Sequence, residues 1–271
     1  MNSPLVLIAG GSSAAGVAVA GALLGAGMRV LTVGSDAGRI TSAAGHTPGA
    51  VPLVCNLADP EDVAELAADI REGYGPVDGL IHLVGGWRGG DGLAGQSDAD
   101  WDFLHTGVMT TLRNTSREFY ADLSASPLGR LAIVSSTTVT APAAGDANYA
   151  SVKAAAETWM QAVAAGFTKD ARIAAAAAAA AALAAGAADG LETDGLLEAQ
   201  AGGGSFARDG AAAVVLVVKA LVDAGMRARS PERKFPGFTD VADLGQTVVE
   251  LFSTPAAAVN GARLVLAPNS K

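Results

Sequence analysis

Short apolar segments alternate with longer helical stretches along the chain, and this alternation predicts its architecture. Seven apolar segments have the length of buried strands: Leu5 to Ala9, Arg29 to Val33, Val51 to Cys55, Leu80 to Val84, Leu131 to Val134, Ala213 to Val218 and Arg263 to Leu266. One helix begins well at Pro60, because proline suits the first helical turn and the two acids after it complement the helix dipole. Strands that alternate with helices are typical of an α/β protein with a doubly wound parallel sheet.

A glycine-rich segment follows the first predicted strand. It has the sequence Gly10-Gly11-Ser12-Ser13-Ala14-Ala15-Gly16, and an alanine- and leucine-rich stretch comes next. This order predicts a strand, a tight turn and a helix. Glycines at such a turn let the backbone approach a pyrophosphate, whose charge then faces the first helical N–H groups. We therefore expect this turn to bind a dinucleotide, although an ordinary β-to-α turn uses the same residue types without binding anything.

The chain also contains the side chains of a proton-donating site. Tyr149-Ala150-Ser151-Val152-Lys153 places a tyrosine and a lysine on one face of a helix, and Ser136 lies thirteen residues before the tyrosine. A phenol has a pKa of about 10 in water, so it works as an acid or base near neutrality only beside a cation that stabilises its phenolate. Taken alone, the tyrosine and lysine also fit the surface of an amphipathic helix.

Together these motifs resemble the short-chain dehydrogenase/reductase family over nearly the whole chain. Gly10 and Gly16 match the first and third glycines of the family's G-x-x-x-G-x-G turn, and Leu83-Val84-Gly85-Gly86 occupies the place of its Asn-Asn-Ala-Gly segment. Ser136 and the Tyr149 to Lys153 segment match its catalytic set. The resemblance implies one Rossmann-like domain over residues 1–271, a nicotinamide cofactor and a small-molecule carbonyl or alcohol substrate. It also implies a homodimer or homotetramer.

The resemblance assigns a role to each matched residue. Ser136 would polarise a carbonyl, Tyr149 would protonate its oxygen, and Lys153 would lower the tyrosine pKa and bind the nicotinamide ribose. Hydride transfer between the nicotinamide and the carbonyl or alcohol carbon would complete the reaction. The residues expected to bind the cofactor are Gly10, Ser12, Ser13, Gly16, Ser35, Arg39, Asn56, Leu57, Gly85, Tyr149, Lys153 and Val222.

The segment after the second strand bears on the choice between NADP and NAD. Family members that use NAD carry an acidic residue there, and alignment on the strand puts Gly34 at that position. Ser35 and Arg39 are then placed to hold a 2′-phosphate, so we expect NADP. A shift of two residues would instead make Asp36 the ribose ligand, which keeps NAD possible. Asn56 after the third strand offers an amide to the adenine.

Three departures from the family pattern favour an alternative function. Ala14 replaces the middle glycine of the turn, and Lys219-Ala220 replaces a Pro-Gly pair after the sixth strand. The helix near Trp101 carries Gly107 or Val108 where the family has an asparagine that relays protons. Asn114 lies two helical turns too late to substitute for it. The alternative is a dinucleotide-binding or scaffold protein of the same fold with little or no turnover.

Composition restricts the remaining possibilities. The chain has 271 residues, of which 50% are hydrophobic, so it can bury a substantial core. Its net charge of -9 argues against nucleic acid as a partner. A single cysteine, Cys55, allows no internal disulfide, and we expect a cytoplasmic protein without a signal peptide. The three histidines lack the spacing of metal ligands, and we expect no metal.

Residues 167–210 form an apparent insertion. It contains unbroken alanine from Ala174 to Ala182, which predicts a helix too short to span a bilayer, and then Gly202-Gly203-Gly204 as a linker or hinge. We expect an extension of the catalytic helix or a flanking helix that packs on a second subunit, in preference to a mobile appendage. Elsewhere, Trp87 is a candidate pocket wall, and the basic segment Arg227 to Lys234 would attract an anionic substrate or the cofactor phosphates, or form a solvated lid.

Overall fold

The computed structural model describes residues 3–188, 206 and 209–266. Nine strands occur within these residues: β1 Leu5–Ala9, β2 Arg29–Gly34, β3 Val51–Val54, β4 Gly79–His82, β5 Arg130–Ser136, β6 Ala212–Val218, β7 Leu221–Val222, β8 Thr239–Asp240 and β9 Arg263–Val265. Seven of them form one sheet in the order β3-β2-β1-β4-β5-β6-β9, and every neighbouring pair is parallel. The seven predicted strands are therefore confirmed, with ends that differ by at most two residues.

Nine α-helices connect and cover the strands in the described part of the chain. They are α1 Ala14–Gly25, α2 Ala37–Ala44, α3 Pro60–Gly73, α4 Asp98–Leu104, α5 Thr111–Ala125, α6 Ala147–Ala188, α7 Ala224–Arg229, α8 Val241–Ser253 and α9 Ala256–Val259. Helix α3 begins at Pro60, as predicted, and the Asp59 side chain caps it by accepting hydrogen bonds from the N–H groups of Glu61 and Asp62. None of these helices is long and apolar enough to cross a membrane.

The core consists of two apolar layers, one on each face of the sheet. Successive residues of a strand point to opposite faces, so Leu5 and Leu7 of β1 pack in one layer while Val6 and Ile8 pack in the other. Helices α3, α5 and α6 supply the first layer, and α1 and α8 supply the second. The predicted doubly wound, Rossmann-like α/β fold is confirmed by this arrangement.

The strand order reverses at the centre of the sheet. Strand β1 pairs with β2 on one side and with β4 on the other, so the chain winds outward in both directions from β1. In open parallel sheets, ligands bind in the crevice outside the carboxyl ends of the strands at such a reversal. The ends of β1, β4 and β5 define that edge, and the glycine-rich turn, Gly85 and Ser136 lie there.

Helix α6 continues through the alanine-rich segment. It runs from Ala147 to Ala188, and its residues from position 171 to position 184 are exposed. The N-terminal half of the helix contributes Val152, Ala156 and Met160 to the core. Packing of the exposed part on a second subunit stays a prediction, as does the expected homodimer or homotetramer. The triple glycine at 202–204 lies outside the described residues.

Candidate active site

The glycine-rich turn leaves no room for a Cβ at any of its three glycines. A Cβ at Gly11 would lie 2.5 Å from the Thr32 Cβ. Gly10 has φ 86°, and a Cβ there would lie 2.9 Å from the backbone carbon of Leu83. A Cβ at Gly16 would lie 2.6 Å from the carbonyl oxygen of Gly10. The Ser13 hydroxyl donates to that same Gly10 oxygen at 2.9 Å, and its oxygen accepts the Gly16 N–H at 2.9 Å, which caps α1. The turn thus presents the N-terminus of α1 to the crevice.

A groove of about 220 Å³ runs along this turn, and we call it the turn groove. It brings together eight of the residues expected to bind the cofactor: Gly10, Ser12, Ser13, Ser35, Arg39, Asn56, Leu57 and Gly85. Gly16 lies buried beneath the turn. Val222 is fully buried in β7 and lines neither this groove nor the cavity around Tyr149 described below.

The residues after β2 differ in whether they line the turn groove. Gly34 is the last residue of β2, and Ser35 and Arg39 line the turn groove. Asp36 is the N-cap of α2, where its carboxylate accepts the Arg39 N–H at 2.8 Å. Asp36 does not line the groove. Ala14 is exposed and lines a neighbouring cavity on the α1–α2 side, so its methyl group does not enter the groove.

Ser136, Tyr149 and Lys153 meet in a second cavity of about 740 Å³, which we call the tyrosine cavity. Ser136 ends β5, and the other two residues lie one turn apart on α6. Leu83, Val84 and Gly85 line both this cavity and the turn groove, so the two spaces are contiguous. The three residues of the expected catalytic set therefore face one space, next to the groove that holds the expected cofactor ligands.

Burial controls the proton affinity of Tyr149. Loss of solvent raises the pKa of its phenol, a hydrogen bond with Ser136 acts in the opposite direction, and the nearby Asp146 carboxylate raises the pKa further. The Ser136 oxygen also accepts hydrogen bonds from the Thr138 N–H at 3.2 Å and from the Thr138 hydroxyl at 3.0 Å. The Tyr149 phenol is consequently protonated at neutral pH.

The Lys153 ammonium forms a hydrogen bond with the backbone. Its ammonium donates to the Val134 carbonyl at 2.8 Å and lies 5.8 Å from the centre of the Tyr149 ring. Burial lowers the Lys153 pKa to about 8, and attraction to Glu157 raises it in part. The family resemblance implies that this lysine lowers the tyrosine pKa, whereas in the structure burial is the largest effect and the Tyr149 pKa is raised.

A polar network that the sequence does not reveal lies around Glu157, one helical turn after Lys153. Glu157 accepts a hydrogen bond from the Ser135 hydroxyl at 2.6 Å and from the Arg263 Nε at 2.9 Å, and Arg263 also donates to the Ser136 carbonyl at 3.3 Å. Helical spacing is the signal that could have found it, because Glu157 lies four residues after Lys153. The network ties α6 and β9 to the end of β5, where Ser136 lies.

His82 is a second residue of the site that its position in the sequence does not reveal. It ends β4, lies buried at the wall of the tyrosine cavity, and bonds through Nε2 to the Thr111 hydroxyl at 2.9 Å. That hydroxyl donates its only proton to the Gly107 carbonyl at 2.8 Å, so the histidine nitrogen is the donor. Burial and the neighbouring Lys153 charge lower the His82 pKa to about 3. His82 is therefore a neutral hydrogen-bond donor.

The helix that carries the family's asparagine has an irregular turn here. A π-helical turn, His105–Thr110, separates α4 from α5, and it includes Gly107 and Val108. Such turns are frequent at functional sites. Asn114 is buried and donates to the carbonyls of Leu57 at 3.2 Å and Ala58 at 3.1 Å. It braces the loop that lines the turn groove.

The outer wall of the tyrosine cavity comes from loops. Trp87 is 61% exposed, and its ring N–H donates to Asp146 at 3.3 Å. Lys219, Arg233 and Phe238 line the cavity from the segment after β6. Lys219 is exposed and donates to the Pro236 carbonyl at 3.2 Å. Cys55 lines the turn groove, and burial together with two nearby aspartates raises its thiol pKa to about 11.

The comparisons with known proteins point to one family. A family model described as short chain dehydrogenase matches residues 4–194. The 3-oxoacyl-[acyl-carrier-protein] reductase FabG of Salmonella typhimurium is 28% identical over 152 residues, which cover 55% of this chain and 62% of that protein. The match thus spans less than two thirds of the relative's length.

Solved structures share the fold at low sequence identity. An NADPH-bound short chain oxidoreductase of Pseudomonas aeruginosa with an atypical catalytic center superposes with TM-score 0.74 at 16% identity, covering 99% of this chain and 96% of that chain. An actinorhodin polyketide ketoreductase with NADPH gives TM-score 0.71 at 16% identity, covering 98% and 96% of the two chains. At these identities the likeness shows the fold.

Proposed function

The chain belongs to the short-chain dehydrogenase family, and from this premise we propose that it is an NADP-preferring carbonyl reductase or alcohol dehydrogenase. One observation carries the proposal: Ser136, Tyr149 and Lys153 line a single cavity that is continuous with the turn groove. The names of the similar proteins, which include reductases and NADPH-bound oxidoreductases, support the same class of reaction.

The turn groove suits a dinucleotide. Gly10 and Gly16 leave no room for side chains between the turn and its neighbours, so the backbone N–H groups at the start of α1 are accessible to a pyrophosphate. Ser35 and Arg39 would hold the 2′-phosphate of NADP, and Asn56 would contact the adenine. NAD is the alternative cofactor. When bound, the nicotinamide supplies hydride to a carbonyl carbon or accepts it from an alcohol.

The side chains of the tyrosine cavity account for the proton transfer. Ser136 donates a hydrogen bond to the substrate oxygen, and the partly buried Tyr149 phenol, protonated at neutral pH, delivers its proton to that oxygen. Lys153 uses one N–H on Val134 and keeps two others for the nicotinamide ribose and the Tyr149 phenolate. In the direction of alcohol oxidation, the phenolate takes the proton back.

A substitution of Tyr149 tests the proposal directly. Tyr149→Phe should reduce turnover of a panel of aldehydes and ketones about a thousandfold, because the general acid is removed while the cavity shape is kept. Tyr120→Phe is the matched control, since the Tyr120 hydroxyl donates to Asp170 at 2.8 Å and lines neither the cavity nor the groove. Full turnover by Tyr149→Phe, with NADPH bound equally well, would contradict the proposed role.

A second candidate function rests on the state of Lys153 and Tyr149. Lys153 is bonded to Val134, and the Tyr149 pKa is raised, an arrangement that also suits a dinucleotide-binding or scaffold protein with little turnover. Titration with NADPH and NADH, followed by nicotinamide fluorescence, separates the two candidates. Tight binding without turnover on any carbonyl favours the scaffold, and failure to bind either nucleotide contradicts both candidates.

A further inference from the structure

The segment from Lys219 to Asp240 closes one side of the tyrosine cavity, and we call it the cover segment. Its two ends are joined, because β7 and β8 pair in parallel and the Thr239 N–H donates to the Ala220 carbonyl at 2.9 Å. Arg227 reinforces the closure through an ion pair with Asp240 at 3.2 Å. With its ends joined, the cover segment forms a loop, and its residues Lys219, Arg233 and Phe238 line the cavity.

Two cations of the cover segment line the tyrosine cavity, and neither has a carboxylate partner in the described chain. Among the residues that the structure describes, Lys219 bonds only to the Pro236 carbonyl, at 3.2 Å. The Arg233 guanidinium lies over the rings of Phe235 at 5.0 Å and Phe238 at 5.9 Å. No ion pair within 4.0 Å joins either cation to a described acidic residue. Arg227 on the same segment, by contrast, is neutralised by Asp240.

The placement of these cations separates them from the cofactor groove. Val218 pairs with Ser136 across β5 and β6, so Lys219 follows directly after the residue beside Ser136. Strand spacing then puts the Lys219 backbone about 6 Å from that of Ser136. Neither Lys219 nor Arg233 lines the turn groove, which holds the expected ligands of the cofactor phosphates. The two cations therefore lie in the cavity of Ser136 and Tyr149, away from the residues expected to hold the cofactor phosphates.

The only carboxylate among the described lining residues, Asp146, lies outside the cover segment. Asp146 precedes α6, accepts the Trp87 ring N–H and acts on the Tyr149 phenol. The cover segment contributes positive charge and the apolar ring of Phe238 to the cavity. A ligand with one anionic group and an apolar body complements this lining, because an unpaired cation in a partly enclosed site gains most from an opposite charge.

We infer that Lys219 and Arg233 select carbonyl substrates that carry a carboxylate, with the carboxylate held by the cover segment while the carbonyl meets Ser136 and Tyr149. This inference rests on the proposed reductase function and names its substrate class. Oxo acids and carboxylated aldehydes fit it, and their uncharged esters do not. Arg233 supplies two parallel N–H bonds to a carboxylate, and Lys219 adds a point charge.

Matched acids and esters test the inference. We would measure kcat/KM with NADPH for levulinate and para-carboxybenzaldehyde, each against its methyl ester. Wild-type protein should prefer the acids about tenfold, the size of one hydrogen bond to a charged group. Arg233→Met and Lys219→Met should each remove most of this preference by lowering kcat/KM for the acids alone. Equal use of acid and ester by the wild-type protein would overturn the inference.

Lys234→Met provides the matched control. Lys234 is exposed, lies next to Arg233 and lines neither cavity, so its loss should leave the acid preference intact. An equal loss of preference in Lys234→Met would mean that the general charge of the segment steers the anion, and would overturn the specific roles of Arg233 and Lys219. A rise in the NADPH dissociation constant of Arg233→Met with unchanged acid preference would assign the cation to the cofactor and also overturn the inference.

A binding measurement separates this inference from the proposed function. If no carbonyl of the panel is reduced, the reductase proposal fails, and calorimetry of benzoate and benzamide with the NADPH-saturated protein still decides the carboxylate site. Binding of benzoate about tenfold tighter than benzamide, lost in Arg233→Met, would support the site without turnover. Equal binding of the two compounds would overturn it.

Discussion

Lys153 keeps its charge in surroundings that disfavour it. The side chain is buried, and its pKa falls from 10.5 to about 8. The unfolded chain therefore binds the Lys153 proton more tightly than the folded protein does. Between pH 8 and 10.5 the unfolded state carries more protons at this position, so the Lys153 contribution to the free energy of unfolding rises with pH. Below pH 8 the full cost of the buried charge is present.

This linkage predicts a pH-dependent difference between the wild-type protein and Lys153→Met. The wild-type free energy of unfolding minus that of the variant should increase from pH 8 toward pH 10.5, by about 3 kcal/mol in all. Urea denaturation at closely spaced pH values measures the difference. Using a difference cancels the titration of tyrosines and Cys55, which both proteins share. A flat difference across this window would show that Lys153 titrates normally in the folded protein.

The residues after β2 predict cofactor preference. Arg39→Met should weaken NADPH binding about tenfold and leave NADH binding nearly unchanged, because only NADPH carries the 2′-phosphate that Arg39 would pair with. Asp36→Asn is the matched test of the NAD alternative, since asparagine preserves the N-cap of α2 while removing the charge. Fluorescence titration of both variants with both nucleotides measures the effect. Selective loss of NADH binding in Asp36→Asn would favour NAD.

At the scale of single residues, the sequence predicts positions better than it predicts the direction of side chains. Helical spacing places Tyr149 and Lys153 on one face, and the structure puts both in one cavity. Spacing does not reveal that Lys153 bonds to Val134, because that carbonyl belongs to a strand nineteen residues earlier in the chain. The contacts of Glu157 with Arg263 and of His82 with Thr111 likewise join distant segments, and they depend on the packed fold.

At the scale of elements, the glycine turn shows which glycines the backbone requires. Gly16→Ala would place a Cβ 2.6 Å from the Gly10 oxygen, an overlap with backbone that cannot relax easily. We expect Gly16→Ala to lose about 3 kcal/mol of stability. We also expect it to lose NADPH binding. Ala14→Gly restores the family's middle glycine, yet Ala14 is exposed outside the groove, so NADPH affinity should stay within about threefold and stability should fall by less than about 1 kcal/mol.

Denaturation midpoints and NADPH titrations of the two turn variants measure these effects side by side. Both variants change one methyl group in the same turn, so the two sets of values can be compared directly. A marked gain of NADPH affinity in Ala14→Gly would show that the Ala14 methyl obstructs the cofactor, in contrast to its position beside the neighbouring cavity.

An element can be predicted from the sequence when the pattern that forms it lies within its own segment of the chain. Strands β1 and β6 are continuous apolar segments buried on both faces, and such segments are visible in the sequence. The edge strands β3 and β9 are only half-buried, but they too stand out as short apolar segments. The pair β7 and β8 has two residues in each strand, too few for a pattern, and it exists because the cover segment returns to its starting point. The π-helical turn His105–Thr110 also lacks a local sequence signal that distinguishes it from α-helix.

At the scale of the whole molecule, the two ends of the sheet have separate tasks. The carboxyl ends of β1, β4 and β5 carry the glycine turn, His82 and Ser136. At the opposite end, the fully buried Arg130 begins β5, and its guanidinium donates to four carbonyls at 2.7 to 2.9 Å, those of Gly129, Gly210, Leu251 and Thr254. One side chain thus ties β5 to the start of β6 and to the end of α8.

This separation predicts that stability and turnover can be changed independently. Arg130→Met leaves four carbonyls, two of them in buried hydrogen bonds, without their donor and removes the ion pair with Asp209, so it should cost about 3 to 5 kcal/mol in stability. The values of kcat and KM should hold wherever the variant is folded, because Ser136 lies about 20 Å away along β5. Arg263→Met at the other end of the sheet removes the Arg263 partner of Glu157, whose charge acts on Lys153. This variant should therefore lose less stability than Arg130→Met, and the pH profile of its kcat should shift. Urea midpoints and pH–rate profiles of both variants test the contrast. Matching losses of kcat in the two folded variants would show that the ends of the sheet are coupled.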